Sequence, residues 1–231
     1  GNLSGRTAYG PGDPAVAMPM LLEAEAGGRA ADEGGVVTMS LTRQSRVQSA
    51  SGDLDAALAA SRTAYDLARR AGSAVLWGNL GAGLSSLLAQ RGEFDEARRL
   101  ATQIRTVGDP IVDIFADADD WIIAVFSGDA AGSRTGCDRV LPVARAYGDP
   151  YFLVPMLAMT AKTAALEGDH HGALAAADEA LGLTWSPLHE QAVDLHLTSA
   201  LAGLAIDDPG PIDRAVHALA DLRRSLTGSG I

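Results

Sequence analysis

A glycine with an acidic residue close behind it recurs along this chain at near-constant spacing. The steps are Gly52-Asp53, Gly92-Glu93, Gly128-Asp129, Gly168-Asp169 and Gly210-Pro211-Ile212-Asp213, at intervals of 40, 36, 40 and 42 residues. A fixed period in this range is the mark of a stacked repeat, where each unit buries its apolar face only against its neighbours. A second series, Gly34-Gly35, Gly72, Gly108 and Gly148, alternates with the first. Two interleaved series divide the chain into helix, turn, helix, turn. A glycine just past a helix end takes the left-handed conformation that closes the helix. The acid after it caps the next helix or sits well at its N-terminal dipole. Asp13-Pro14, Asp109-Pro110 and Asp149-Pro150 mark further helix starts, since Pro is tolerated at the first helical position.

This punctuation predicts an opening helix over 14–33 and five pairs: 35–50 with 54–71, 74–90 with 94–106, 110–126 with 130–147, 150–167 with 170–182, and 187–205 with 211–226. Apolar spacing agrees. Leu76, Leu80, Leu84, Leu87 and Leu88 follow a helical rhythm, and Ala57, Ala60, Ala64 and Leu67 form one apolar line. Alternating β-branched runs are nearly absent, which argues against a sheet. The expected fold is therefore all-α: a right-handed superhelical stack of antiparallel helix pairs, an α-solenoid of about eleven helices. Residues 1–12 read as an irregular lead-in, 13–226 as the repeat domain and 227–231 as a flexible tail. Pro142 and Pro155 fall inside expected helices and should bend them or delay their start. Gly27-Gly28 should weaken the opening helix.

Charge narrows the choice of partner. The formal net charge is -11, and an acidic surface repels phosphate backbones and anionic membranes. Neither direct nucleic-acid binding nor membrane association is expected, and no apolar run is long enough to span a bilayer. A single cysteine, Cys137, cannot form an internal disulfide and reads as a small packing residue, so a cytoplasmic setting is expected.

Trp77, Leu80, Gly81 and Leu84 fall at the spacing of the tetratricopeptide signature W-x2-L-G-x2-Y, with Leu in place of the Tyr, and Ala97 fits the small residue of the second helix. The second helices end in phrases such as Leu67-Ala68-Arg69-Arg70-Ala71-Gly72 and Val143-Ala144-Arg145-Ala146-Tyr147-Gly148-Asp149. On these residues the chain resembles the repeat domain of large bacterial ATPase regulators, the MalT-like LuxR-type and SARP-type transcription factors. The resemblance spans about residues 13–226. It implies a bacterial non-enzymatic sensor or coupling module, holding an effector or a protein segment in a concave groove. The family's P-loop and helix-turn-helix are not found in the sequence. A stand-alone adaptor gripping a peptide is the alternative.

The resemblance implies a groove lined by first helices. Aligned on the turn glycine, the inward positions hold Thr38, Thr42, Ser45 and Arg46, then Ser85 and Ser86, then Trp121, then Tyr151 and Lys162. Arg46, Ser85, Ser86, Trp121, Tyr151 and Lys162 are the candidate partner-binding set, with Arg46, Trp121 and Lys162 suited to an aromatic or anionic ligand. No catalytic residue, cofactor or metal site is expected. His170-His171 and His189 with His196 have poor ligand spacing. Asp113, Asp117 and Asp120 share a helix face whose repulsion a cation or basic partner could relieve. Exposed repeat ends leave room for self-association.

Overall fold

The computed structural model describes residues 14–183 and 192–228. Among them are eleven α-helices: α1 (Pro14–Ala30), α2 (Gly34–Ala50), α3 (Leu54–Ala71), α4 (Ala74–Arg91), α5 (Phe94–Arg105), α6 (Pro110–Ser127), α7 (Ala130–Tyr147), α8 (Pro150–Leu166), α9 (His170–Leu183), α10 (Ala192–Ala205) and α11 (Pro209–Gly228). They form two compact units, α1–α6 and α7–α11. Within each unit every helix packs on the next in chain order. In addition α4 packs on α6 within the first unit and α8 on α10 within the second. Packing in chain order is what an α-solenoid requires. The expected start of the tenth helix, 187–191, lies outside the described residues, as do 1–13 and 229–231. The last helix reaches Gly228, two residues past the expected end of the repeat domain.

One residue in the left-handed region closes each described inter-helix turn: Asp32, Gly52, Gly72, Gly92, Gly108, Gly128, Gly148, Gly168 and Asp207. At Gly72 (φ 75°) the amide bonds the Arg69 carbonyl and ends α3. Four of these acids then cap as the sequence implies, whereas Glu93 makes no side-chain cap at the start of α5. Asp53 accepts from the Ala56 amide at 3.1 Å, Asp109 from Ile111 at 2.9 Å, Asp129 from Gly132 at 2.9 Å and Asp169 from Gly172 at 2.8 Å. Two expectations need correcting. Gly34-Gly35 open α2, and Asp32 makes the turn before them. Gly210 lies in the first turn of α11, where Asp208 accepts its amide at 2.9 Å, and Asp207 makes that turn. Aspartate tolerates αL far better than most side chains, so it replaces glycine without breaking the period.

Other glycines serve helix contact. A Cβ on Gly28 would lie 3.0 Å from Val36, and one on Gly78 would lie 2.7 Å from Val112. Gly81, the signature glycine, faces Ile104 and Tyr65 at 3.0 and 3.1 Å from its would-be Cβ. A side chain there would push α4 off α3 and α5. Gly28 thus serves close packing of α1 on α2, and α1 runs through it unbroken. Pro142 and Pro155 likewise sit inside continuous helices α7 and α8.

The core of the first unit gathers Leu58, Leu84, Leu88, Leu100, Ile104 and Val112, with the Trp77 and Tyr65 rings set edge to face at 6.1 Å. A smaller cluster of Ala164, Ala173 and Ala202 joins α8, α9 and α10. Ion pairs tie successive second helices on the outside: Arg62 to Glu96 at 3.2 Å, Arg145 to Glu179 at 2.7 Å and Arg214 to Asp178 at 3.7 Å.

Candidate binding surface

The nine left-handed residues define a register in which the sequence-chosen positions can be compared. Ser45 and Ser85 each sit seven residues before the turn residue. Both are buried, and each donates to a carbonyl of its partner helix: Ser45 Oγ to Ala57 at 2.8 Å, Ser85 Oγ to Ala97 at 3.2 Å. They staple first helix to second helix and present nothing to a groove. Trp121 holds the same register position in α6 and is fully buried. Ser85 and Trp121 are therefore removed from the candidate set.

Arg46, Ser86 and Lys162 share the next position, six residues before the turn. All three are half-buried. Lys162 Nζ reaches Asp194 Oδ2 on α10 at 2.8 Å, so it ties α8 to α10. Arg46, Ser85, Ser86 and Trp121 belong to the first unit, Tyr151 and Lys162 to the second. The side chain of Tyr151 lies outside the described residues.

The acidic face of α6 already has its cation. Arg105 Nη2, from the end of α5, lies 2.9 Å from Asp117 and 2.7 Å from Asp120. Relief of the like-charge repulsion is thus internal, and Asp113 stays exposed beside it. Asp119 points the other way and is buried, with Oδ2 lacking a hydrogen-bond partner. Burial holds its carboxyl well above the usual range, Asp120 adds to the shift, and Arg105 and a hydrogen bond with Ser85 oppose it. A neutral acid at this place avoids the cost of an unpaired buried charge.

His170 and His171 occupy the first turn of α9, and His189 lies outside the described residues. His196 is half-buried on α10, and burial pushes its pKa down, with Arg214 adding to this. No group of three His, Cys, Asp or Glu among the described residues is placed to hold a metal ion.

A depression of about 390 Å³ lies in the second unit between α7 and α9, with Thr160 of α8 in its wall. Its walls include Cys137, Leu141 and Ala176, and charged side chains around it are Arg134, Asp138, Arg145 and Glu179. Arg145 pairs with Glu179, and Arg134 with Glu167, whose carboxyl it holds below the usual range. Cys137 Sγ lies 3.8 Å from Thr160 Oγ1, and burial pushes the thiol up, so it is a lining group and not a thiolate. The sequence reading passed over this place, although Arg134, Asp138, Leu141 and Arg145 recur at one-face helical spacing. What sequence could not supply is the opposing wall, because α7 and α9 are brought together by their shared packing on α8, with Arg145 paired to Glu179 across them.

No protein-family model matches the chain, and no curated protein matches it either. Among solved structures, the chain is similar to BtubC (BKLC) from P. vanneervenii, with a TM-score of 0.58, 13% identity and 91% of each chain covered. At this identity the likeness concerns the fold alone. No described helix is long and apolar enough to cross a membrane.

Proposed function

We propose that this chain is a helical-repeat interaction module that takes up a protein segment along its stacked helices, with the depression between α7 and α9 as one recognition place. The observation that carries the reading is the make-up of that depression: apolar and small groups in its walls, with two arginines and two acids around it. Such a surface suits an extended peptide, whose side chain enters the recess while its charges exchange with the existing ion pairs. On this reading the module is non-enzymatic, needs no cofactor and works in the cytoplasm. It belongs to a bacterial transcription regulator of the LuxR or SARP type, as the Ala-Arg phrases and the tetratricopeptide-like signature suggest.

Selection of a random-peptide display library on the purified chain tests the binding claim. Enriched peptides should lose at least tenfold in affinity to Arg145→Ala or Leu141→Arg chains with unchanged helicity. A selection that enriches nothing, or peptides indifferent to both variants, counts against it. The regulator affiliation is tested on the reading frame that encodes the segment. An attached P-loop ATPase or DNA-reading domain supports it, and a frame without either favours the stand-alone adaptor.

A further inference from the structure

A serine hydroxyl has one proton to give and lone pairs to accept with. Ser85 Oγ is buried in α4 and lies 3.2 Å from the Ala97 carbonyl of α5. A carbonyl oxygen only accepts, so the Ser85 proton is spent on that bond. Ser45 spends its proton in the same way on Ala57, one helix pair earlier, at 2.8 Å. Asp119 of α6, itself buried, is hydrogen-bonded to the same Ser85 side chain. With the serine proton committed to α5, the bond between Ser85 and Asp119 takes its proton from the acid. Asp119 O–H donates to Ser85 Oγ, and Ser85 O–H donates to Ala97. Two hydrogen bonds running in one direction thus join α6, α4 and α5.

Ionisation of the acid cannot leave this relay as it is. A carboxylate has no proton to donate. A hydroxyl bonds a charged oxygen more strongly than a neutral carbonyl. Ser85 must then turn to Asp119 and release Ala97. The charged groups around the acid do not remove this demand. α6 brings Asp120, whose charge opposes a second one, and α5 brings Arg105. Arg105 Nη2 is already engaged, 2.9 Å from Asp117 and 2.7 Å from Asp120. α4 brings the Ser85 hydroxyl, and Asp119 Oδ2 has no partner. A buried carboxylate so poorly supplied draws on Ser85 first.

We propose that Asp119 is a proton-operated clasp in the α4–α5–α6 layer. While it holds its proton it donates to Ser85 and leaves Ser85 free to tie α4 to α5. When it loses the proton it takes the serine hydrogen bond for itself, and the tie to α5 opens. The clasp is closed at low pH and opens as pH rises. It lies in the first unit and is independent of the peptide-binding reading, which concerns α7 and α9.

Nuclear magnetic resonance of the isotope-labelled whole chain, titrated from pH ~4 to pH ~9, reads both ends of the relay. The Asp119 carboxyl carbon should titrate above the ordinary carboxylate range. The Ala97 carbonyl carbon should move with the same midpoint. The Ala57 carbonyl, held by Ser45 in the α2–α3 layer, should stay still and serves as the control within the molecule. In Asp119→Asn the side-chain amide N–H replaces the acid proton, so Ala97 should keep its low-pH position throughout. In Ser85→Ala, with unchanged circular dichroism, Asp119 should still titrate while Ala97 no longer follows it. An Asp119 carboxyl that titrates at the ordinary value, or holds its proton to the end of the range, overturns the proposal. So does an Ala97 carbonyl that ignores the Asp119 titration, moves together with Ala57, or still titrates in Asp119→Asn.

Discussion

α5 and α9 hold the same place in their repeats and are filled differently. Both follow a left-handed glycine, and both bury one stripe against the helix before them. α5 buries Ala97, Leu100, Ala101 and Ile104, and adds its bulk to a cluster that includes Leu88 and the Tyr65–Trp77 pair. α9 buries Ala173, Ala176, Ala177 and Ala180 and nothing larger. The comparison teaches that the same turn geometry serves a layer filled by large side chains and one filled by alanines. Where α5 brings Leu and Ile, α4 supplies Gly81. Where α9 brings alanine, α8 meets it with Ala164. Large groups stabilise by area removed from water, and small ones by letting backbones approach.

That difference sets the sensitivity of each layer to substitution. Leu88→Ala should cost about 3 kcal/mol, because Leu88 is fully buried in the larger cluster and truncation leaves a cavity. Chemical denaturation measures it directly, and a loss below about 1 kcal/mol would break the comparison. Ala173→Leu should cost about 2 kcal/mol by overpacking, the opposite kind of error, at a site with no spare volume. If Ala173→Leu is neutral while Leu88→Ala is costly, the α8–α9 layer is looser than its alanines suggest.

Asp119 sharpens the contrast through pH. Its native carboxyl holds a proton that the unfolded chain releases near pH ~3.9. The native state therefore binds more protons above that point, and its stability falls as pH rises toward the raised native value. Asp119→Asn should remove this fall, so the stability difference between variant and parent should widen from pH 4 upward in the variant's favour. A difference that stays constant across this range would mean that Asp119 is not held neutral. The smallest effect belongs to the exposed ion pairs. Arg145→Ala breaks the pair with Glu179, both partners being about half exposed, and should cost no more than about 0.5 kcal/mol. A larger loss would mean that the outer ladder, and not the buried stripes, holds the second helices together.

The backbone plan was legible in the sequence because punctuation is local. Gly52, Gly72, Gly92, Gly128, Gly148 and Gly168 announce turns by themselves, and Asp53, Asp109, Asp129 and Asp169 announce the helix starts after them. The reading slipped where aspartate did glycine's work, at Asp32 and Asp207, since an Asp in a loop looks like any cap. The candidate site was far less legible. Ser85 and Trp121 look like ligand-facing residues on a helix wheel, and only the neighbouring helix shows that one is a staple and the other a core ring. The Asp113–Asp117–Asp120 face looked open to a cation until Arg105, which closes it from α5, was placed. Which helix comes to lie opposite is a tertiary fact, and the spacing of residues along one helix does not encode it.

The central claim is that burial passes from each helix to its neighbours in chain order. Native-state hydrogen exchange on the Leu88→Ala chain tests it most directly. Within residues 14–127, amide protection should fall most in α4 and α5, less in the adjoining α3 and α6, and least in α1 and α2. An equal loss of protection across all six helices would contradict it, because it would mean a single shared core in place of layers.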